Sequence, residues 1–126
     1  MHKFVLFILA ALINFALAGP QEDMVISLPN ITLTDTMYSG YLPITETKKL
    51  HYVLVASNST NAATDPLLIW FNGGPGCSSL LGFFQENGPL VIEENGDMSV
   101  NTYPWNVRAN VLYIESPAGV GFSLAG

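Results

Sequence analysis

Residues 69–79 read IWFNGGPGCSS, and this stretch determines how the rest of the chain is interpreted. It joins the end of an apolar run to a glycine-rich corner and then to two serines that can cap a helix. Glycine has no Cβ atom, so it permits positive φ and lets the main chain approach a ligand closely. The stretch therefore predicts a strand, a tight turn and a short helix, in that order. Backbone N–H groups at such a turn can stabilise an oxyanion, although a glycine turn without a ligand has the same local pattern.

Two short apolar runs predict central strands of an α/β sheet. Residues 67–71 read LLIWF and residues 111–114 read VLYI, and neither run alternates apolar with polar side chains. Continuous apolar runs of this length are typical of strands that are buried on both faces. Upstream, residues 38–44 and 50–56 predict the two strands of a hairpin, joined by a polar turn at 45–49.

The remaining segments predict less regular structure. Residues 21–35 are polar and predict an extended N-terminal arm, and residues 91–105 predict a loop. A short helix is expected from Ser78 or Ser79 through Phe84. The chain thus supplies strands, loops and one helix, which is only part of an α/β alternation.

The first 18 residues predict a secretory signal peptide. Lys3 gives a positive start, residues 4–17 are almost wholly apolar, and residues 16–18 read ALA, which places small residues before cleavage after Ala18. A membrane anchor is the less favoured alternative, because the apolar run is shorter than the roughly 20 residues that a spanning helix needs. We expect a mature product, residues 19–126, without membrane association, in the secretory pathway and either secreted or vacuolar/lysosomal.

The mature product is acidic and long enough for one ordinary domain over 19–126. Removing Lys3 leaves three of the four basic residues against ten acidic ones, a net charge of −7. This charge disfavours nucleic acid and anionic membranes as partners. No cofactor is expected, and no metal either, because one histidine and one cysteine after the leader cannot make a zinc site.

The single cysteine and two glycosylation sequons fit a secreted protein. Cys77 is the single cysteine, and an odd number of cysteines is unusual in a secreted protein. It indicates a free thiol, an intermolecular bond or a partner cysteine that this sequence does not contain. The tripeptides that begin at Asn30 and Asn58 are Asn-x-Ser/Thr sequons, and both are candidates for glycosylation.

Three strings in a fixed order resemble the serine carboxypeptidase family. Residues 70–79 match its signature W-x-N-G-G-P-G-C-S-S, residues 101–113 contain NTYPWN and ANVLY, and residues 115–123 read ESPAGVGFS. The resemblance extends over 36–123. It implies the N-terminal portion of an α/β-hydrolase fold, with a β-hairpin, central strands and a short helix, truncated before the nucleophile elbow.

The resemblance implies a role for each residue of the glycine corner. Gly74 would donate its backbone N–H to the oxyanion, while Asn72 and the Gly73 N–H would bind the C-terminal carboxylate of a peptide. Glu86 matches the glutamate that recognises this carboxylate, and it needs its own proton to do so, which favours activity in acid. Trp70 would support this network. Without the resemblance, Glu86 is typical of a solvated helix end and Trp70 of a core.

The nucleophile, base and orienting acid of a hydrolase are not among these residues. In this fold they follow in the order Ser, Asp or Glu, His, and the family's serine lies in a G-E-S-Y-A-G elbow. Residues 121–126, GFSLAG, share that outline, but Ser123 belongs to the preceding signature and no histidine follows it. His51 lies upstream in a predicted strand and is typical of a structural histidine. The family position of Cys77 usually bonds to a downstream cysteine, which is also missing.

The resemblance implies a serine-type carboxypeptidase, which hydrolyses C-terminal peptide bonds of peptides or proteins through an acyl-enzyme. Because the Ser-Asp-His triad is absent, the chain alone is predicted to be inactive. Two alternatives remain open: a secreted protein that binds peptide C-termini without cleavage, and part of a carboxypeptidase-like acyltransferase. The chain alone is also expected to be marginally stable, with open backbone groups and bare apolar faces at a strand such as 111–114.

Overall fold

A computed structural model of the protein describes residues 21–126, so the leader expected at 1–18 lies outside the described residues. A four-stranded sheet forms the centre and a two-stranded hairpin lies beside it. No helix within the described part is long and apolar enough to cross a membrane. The strands are β1 (Met37–Pro43), β2 (Lys49–Val55), β3 (Leu67–Trp70), β4 (Leu90–Ile92), β5 (Met98–Val100) and β6 (Asn110–Ile114), and the helical segments are Gln21–Asp23, Gly82–Glu86 and Trp105–Val107.

The sheet has the strand order β1-β2-β6-β3. The hairpin expected from the sequence is confirmed, because β1 and β2 pair antiparallel from Met37↔Val55 to Pro43↔Lys49. Strand β6 pairs antiparallel with β2 and parallel with β3. Since β3 and β6 are parallel, the segments that follow them leave the sheet at the same edge, which is where ligands bind in open α/β sheets.

Both apolar runs form strands, but only one of the two strands is buried as expected. Strand β6 is buried on both faces and has a partner on each side, so its expected open edge is wrong. Strand β3 lies at the edge instead, and the side chains of Leu67, Leu68 and Ile69 are 44%, 39% and 54% exposed. The prediction of a buried central strand at 67–71 is therefore wrong for the described residues, because β3 pairs on one side only.

The core lies between the sheet and the short helix at Gly82–Glu86. Phe83 projects from this helix and packs edge-on against Tyr113 of β6, with ring centroids 5.3 Å apart. Val55 and Val111, which are 0% and 1% exposed, extend the same cluster across β2 and β6. Because the helix lies just after the glycine turn, packing of Phe83 holds that turn against the sheet.

The helix and its cap follow the prediction in part. The Ser78 hydroxyl accepts the Leu80 N–H at 3.1 Å, as expected for a capping serine. The helix then widens to a π-helix over Gly82–Glu86 and closes with the Asn87 N–H donating to the Gly82 carbonyl at 2.9 Å. It extends past Phe84, so Glu86 is its last residue.

The segment at 91–105 was expected to be a loop, and this expectation is wrong. It contains β5 and the greater part of β4, paired as an antiparallel hairpin from Leu90↔Val100 to Ile92↔Met98. The turn between them holds Asn95 and Gly96, a dipeptide that favours hairpins because Gly96 can take its φ of 86°. The three-residue strands are too short to show a period of two, so only the turn residues carried this signal.

Substituting Tyr113→Phe should lower the free energy of unfolding by about 1–3 kcal/mol at pH 7. Tyr113 is 1% exposed, and its hydroxyl donates to Asn87 Oδ1 at 2.8 Å. Within the described part, the Asn87 Nδ2 group already has no partner, so the variant leaves a second buried polar atom unpaired. Urea unfolding followed by circular dichroism measures the change, with the exposed Tyr103→Phe as control.

The contribution of the Tyr113 hydroxyl to the free energy of unfolding should also depend on pH. Burial raises the pKa of Tyr113 above its ordinary value. The unfolded chain therefore releases the phenolic proton first, and the stabilisation is present below about pH 10 and lost as the pH rises further. The difference in unfolding free energy between the wild type and Tyr113→Phe should shrink above that pH. A constant difference from pH 7 to pH 11 would contradict this assignment.

Candidate functional site

The glycine turn follows β3 and is open to solvent. Residues 73–77 are all exposed. Gly74 and Gly76 have φ of 135° and 104°, values that side chains with a Cβ atom rarely adopt. A Cβ atom on Gly74 would lie 3.0 Å from the Gly76 nitrogen and 3.2 Å from the Cys77 nitrogen. Only glycine therefore fits at Gly74, where the main chain folds back on itself.

Ser79 ties the turn to the end of β6. Its hydroxyl accepts the Asn72 N–H at 3.1 Å and donates to the Ile114 carbonyl at 2.6 Å. Ser79 is 1% exposed, so these bonds form away from water. One buried hydroxyl thus joins the second residue after β3 to the last residue of β6.

Two donors fix the orientation of the Asn72 side chain. Its Oδ1 atom accepts the Trp70 indole N–H at 2.7 Å and the Gly82 N–H at 3.1 Å. With its oxygen held on this side, the amide presents Nδ2 to the opposite side, 3.5 Å from Glu86 Oε1. The side chain is thereby a fixed donor next to a carboxyl group.

Glu86 lies beside Asn72, the residue with which the sequence resemblance grouped it. The residue ends the π-helix, and its side chain is exposed. Glu86 therefore has the solvated position at a helix end that its local sequence indicates. Within the described residues the two groups expected to recognise a carboxylate are neighbours.

The backbone amides of Gly73 and Gly74 lie in the exposed part of the turn. Among residues 21–126, neither amide donates a hydrogen bond to another protein group. A Cβ atom on Gly73 would have no heavy atom within 4 Å, so the space around this residue is clear. Two consecutive N–H groups next to Asn72 are thus available to an incoming oxygen atom.

Trp70 supports the site from the inner side of the turn. Its ring packs edge-on against Trp105 with centroids 5.4 Å apart. Gly82 lies so close to the indole nitrogen that any side chain there would collide with it. The indole is therefore held in the position from which it donates to Asn72.

The sequence interpretation missed a buried cluster behind the turn. Glu115 is 1% exposed and accepts hydrogen bonds from the Ser78 hydroxyl and, at 2.8 Å, from the Phe122 N–H. Its Oε2 atom lies 2.9 Å from His51 Nδ1, and His51 Nε2 lies 2.9 Å from Ser39 Oγ. The one signal in the sequence was an acid placed directly after a buried apolar strand.

Ser123 belongs to this cluster and does not resemble a nucleophile. It is 5% exposed, its hydroxyl donates to the Glu115 carbonyl at 2.7 Å, and it accepts the His51 N–H at 2.8 Å. These contacts use the hydroxyl to join β2 to the segment after β6. The Ser123 hydroxyl is thereby engaged in hydrogen bonds with the main chain on both sides.

The remaining candidates lie on the surface. Cys77, the single cysteine of the sequence, is exposed at the end of the glycine turn. Asn30 and Asn58, the two glycosylation candidates, are both exposed. The Asn58 amide donates to Asp35 Oδ1 at 2.7 Å, and a glycosylated amide would still have one N–H for this bond.

Residues 29–126, which include the turn and both strands beside it, match the family model described as serine carboxypeptidase. The chain belongs to the serine carboxypeptidase family. It is 48% identical over 122 residues to serine carboxypeptidase ctsa-4.1 of Caenorhabditis elegans, covering 94% of this chain and 26% of that protein. It is 47% identical over 109 residues to the lysosomal protective protein of Mus musculus, covering 84% of this chain and 23% of that protein. The chain spans about a quarter of the length of these curated relatives.

The fold is also similar to a solved structure of a carboxypeptidase. The match is to Kex1(Δ)p, a prohormone-processing carboxypeptidase from Saccharomyces cerevisiae, with a TM-score of 0.64 and 32% identity. It covers 72% of this chain and 21% of the yeast chain. The family resemblance and the fold class expected from the sequence are confirmed: the described residues form part of the α/β-hydrolase fold of serine carboxypeptidases, as expected for its N-terminal portion.

Substituting Gly82→Ala should displace the Trp70 indole and release Asn72, because the new methyl group would overlap the indole nitrogen. We expect the Trp70 indole N–H resonance to shift and its exchange with solvent to quicken by about tenfold, the loss of one hydrogen bond. Nuclear magnetic resonance of the indole N–H groups measures this. Gly73→Ala is the matched control, since its methyl group enters open space. An unchanged Trp70 resonance in Gly82→Ala would contradict the supporting role.

Proposed function

We propose that this chain provides the carboxylate-recognition site and one oxyanion donor of a serine-type carboxypeptidase. The observation that carries the proposal is the fixed Asn72 amide, which lies 3.5 Å from Glu86 and beside the unoccupied N–H groups of Gly73 and Gly74. Four donors or potential donors thus come from residues 72–74 and 86, at the exposed turn and the helix end beside it. Membership of the serine carboxypeptidase family supports this assignment of their roles.

The first role is to bind the terminal carboxylate of a peptide. Asn72 Nδ2 and the Gly73 N–H would donate to the two carboxylate oxygens. Glu86 can add a hydrogen bond only when its carboxyl group carries a proton, and its ionised form would repel the substrate. Binding is therefore expected to strengthen in acid, since protonation converts a repulsive neighbour into a donor.

The second role is to receive the oxygen of the scissile carbonyl. Gly74 follows Gly73 directly, so their Cα atoms are about 3.8 Å apart and their N–H groups belong to consecutive residues. The terminal carboxylate and the last peptide carbonyl of a substrate are also separated by one residue. A peptide whose carboxylate binds at Gly73 would thus place its last carbonyl oxygen near the Gly74 N–H. This match of spacings favours removal of single C-terminal residues.

We propose that the 126 residues do not hydrolyse peptides by themselves. Cleavage through an acyl-enzyme needs a nucleophilic serine, a histidine base and an orienting acid near the oxyanion donor. Ser39, His51 and Glu115 make the contacts of such a set, but Ser39 lies within the regular β1–β2 ladder rather than at a sharp turn with free N–H groups. The Ser123 hydroxyl is already bonded to the main chain. Hydrolysis would need a nucleophile that these residues do not contain.

A second candidate function is binding of peptide C-termini without cleavage. The same observation favours it, because the groups proposed to recognise the carboxylate are assembled within residues 70–86. The neighbouring Asn72 and Glu86 also favour a peptide carboxylate over the alcohol acceptor of a carboxypeptidase-like acyltransferase.

The processing and location of the chain are part of the proposal. We infer that residues 1–18 are removed as a leader and that residues 19–126 pass through the secretory pathway, to secretion or to a vacuole or lysosome. Peptide or protein C-termini are the proposed partners, without nucleic acid, membrane or cofactor. One relative is named lysosomal protective protein, which agrees with this route.

Glycosylation gives a direct test of the secretory route. Expression in a eukaryotic secretory host should yield a product that an N-glycosidase shifts in gel mobility, because both sequons are exposed. Asn30→Gln and Asn58→Gln should each remove one step of the shift, and the double variant should remove all of it. A secreted wild type that the glycosidase does not shift would contradict the assignment of both sites.

Binding of N-acetyl-Phe-Leu tests the proposed function, with the C-terminal amide of the same peptide for comparison. Isothermal titration calorimetry at pH 4, below the ordinary pKa of about 4.3 of a glutamate side chain, should show tighter binding of the acid. Glu86→Ala should weaken binding of the acid by about tenfold or more, the loss of a hydrogen bond to a charged group. Glu86→Gln should still bind the acid more tightly than the amide peptide, and it should do so at pH 7 as well, because a side-chain amide donates a hydrogen bond at either pH. Glu94→Ala, which removes an exposed acid of the β4–β5 turn, is the control.

Equal affinity for the acid and the amide in the wild type would overturn the proposed recognition site. Incubation of the acid peptide at pH 5 should release no leucine from it. Release of leucine that a serine-reactive fluorophosphonate blocks would overturn the proposed inactivity, and mass spectrometry would identify the labelled serine. Labelling at Ser39 would point to the His51 contact as its activating base.

A further inference from the structure

A buried carboxylate joins the hairpin, the end of β6 and the glycine turn. Glu115 follows β6 directly, and its side chain reaches three separate parts of the chain. One oxygen accepts the Ser78 hydroxyl, while the other lies 2.9 Å from His51 Nδ1 and accepts the Phe122 N–H at 2.8 Å. Ser78 is the partner that belongs to the turn.

Close contacts fix the position of the Glu115 carboxylate. A Cβ atom on Gly121 would overlap the Glu115 carboxylate, and Gly121 has a φ of 54°. The main chain is held as well, because the Glu115 N–H donates to the His51 carbonyl at 3.0 Å. His51 itself is 8% exposed and packs edge-on against Tyr41 and Phe122. Glu115 is thus held in place before it reaches Ser78.

The glycine turn has few other restraints. Between Gly73 and Cys77 the internal bond is the Cys77 N–H to the Gly73 carbonyl at 3.4 Å, which is long for a hydrogen bond. Two of its glycines have positive φ, and its residues are exposed. Ser79 anchors the turn to Ile114, and Ser78 anchors it to Glu115. Because glycine loses more conformational freedom on folding than other residues, the turn needs external anchors to keep one shape.

We propose that Glu115, held by His51, is a positioning residue that orients the Gly73 and Gly74 amides through Ser78. This inference rests on the proposed function, in which those amides bind the substrate's carboxylate and carbonyl oxygen. Glu115 touches neither group itself. Its effect on binding passes through the Ser78 hydroxyl, so loss of that hydroxyl should mimic loss of the carboxylate.

Four variants separate positioning from simple stabilisation. Ser78→Ala removes the anchor at the turn, and Ser78→Thr keeps a hydroxyl and should restore it. Glu115→Gln keeps the size of the side chain but removes its charge. Ser39→Ala is the matched control, because it removes the other partner of the His51 ring and leaves the Ser78 bond to Glu115 intact.

Two measurements on the 126-residue chain report the effect. Hydrogen exchange of the Asn72 amide and the Trp70 indole N–H reports the rigidity of the turn, since both groups are hydrogen-bonded at its base. The ratio of dissociation constants for the amide and acid forms of N-acetyl-Phe-Leu reports the orientation of the turn amides. Ser78→Ala should raise both exchange rates by about three- to tenfold, because one hydrogen bond is lost. It should also lower the ratio of dissociation constants by about three- to tenfold. Ser78→Thr and Ser39→Ala should leave both measurements near their wild-type values.

The outcomes distinguish this inference from the proposed function. If the wild-type chain binds the acid and amide peptides equally well, the proposed function is overturned. Hydrogen exchange then tests only whether Ser78 anchors the turn. Unchanged exchange in Ser78→Ala overturns the inference whatever the wild type binds. Faster exchange with an unchanged ratio also overturns it, because the anchor would then be structural only. If Glu115→Gln fails to fold, the comparison of Ser78→Ala with Ser78→Thr still decides between these results.

Discussion

The parallel pairing of β3 with β6 is the constraint on which the site depends. It brings the segments that follow the two strands to one edge of the sheet, so that Asn72 and Glu115 start from neighbouring positions. Ser79 then bridges the two ends through the Asn72 N–H and the Ile114 carbonyl. The glycine turn is exposed only because these buried bonds hold its base. Without the pairing, the same residues would form a loop with no fixed direction for its amides.

Much of the fold could be predicted from local patterns, since β3 and β6 coincide with apolar runs and β1 and β2 with the two strand-like segments around a polar turn. The β4–β5 hairpin was missed because its three-residue strands are too short to show a pattern, leaving Asn95 and Gly96 as its signal. The burial of β3 was predicted wrongly because a run of apolar residues does not tell an edge strand from a central one. Its position follows from which strands pair, and that depends on the whole sheet.

The site shows the same division between local and long-range information. Trp70, Asn72, Gly73 and Gly74 lie within five residues, so a sequence motif could identify them and associate Glu86 with them. The contacts of Glu115 with His51 and Ser78 connect residues 64 and 37 positions apart. They arise from the register of β2 against β6, in which Tyr52 lies opposite Ile114. No spacing in the sequence encodes that register, which explains why the sequence indicates a structural or surface role for His51 but does not identify Glu115 as its partner.

The open side of β3 has a geometric consequence for what can stand next to the glycine corner. A further strand added there in parallel would lie about 4.8 Å away, the usual spacing between neighbours in a sheet. Its carboxyl end would emerge at the same rim as Asn72, and whatever bend followed it would face the Gly74 amide from one strand away. The exposed side chains of Leu67 and Ile69 would be covered in the same step. The layout of the sheet thus leaves room beside the glycine corner for a further strand and for the bend that would follow it.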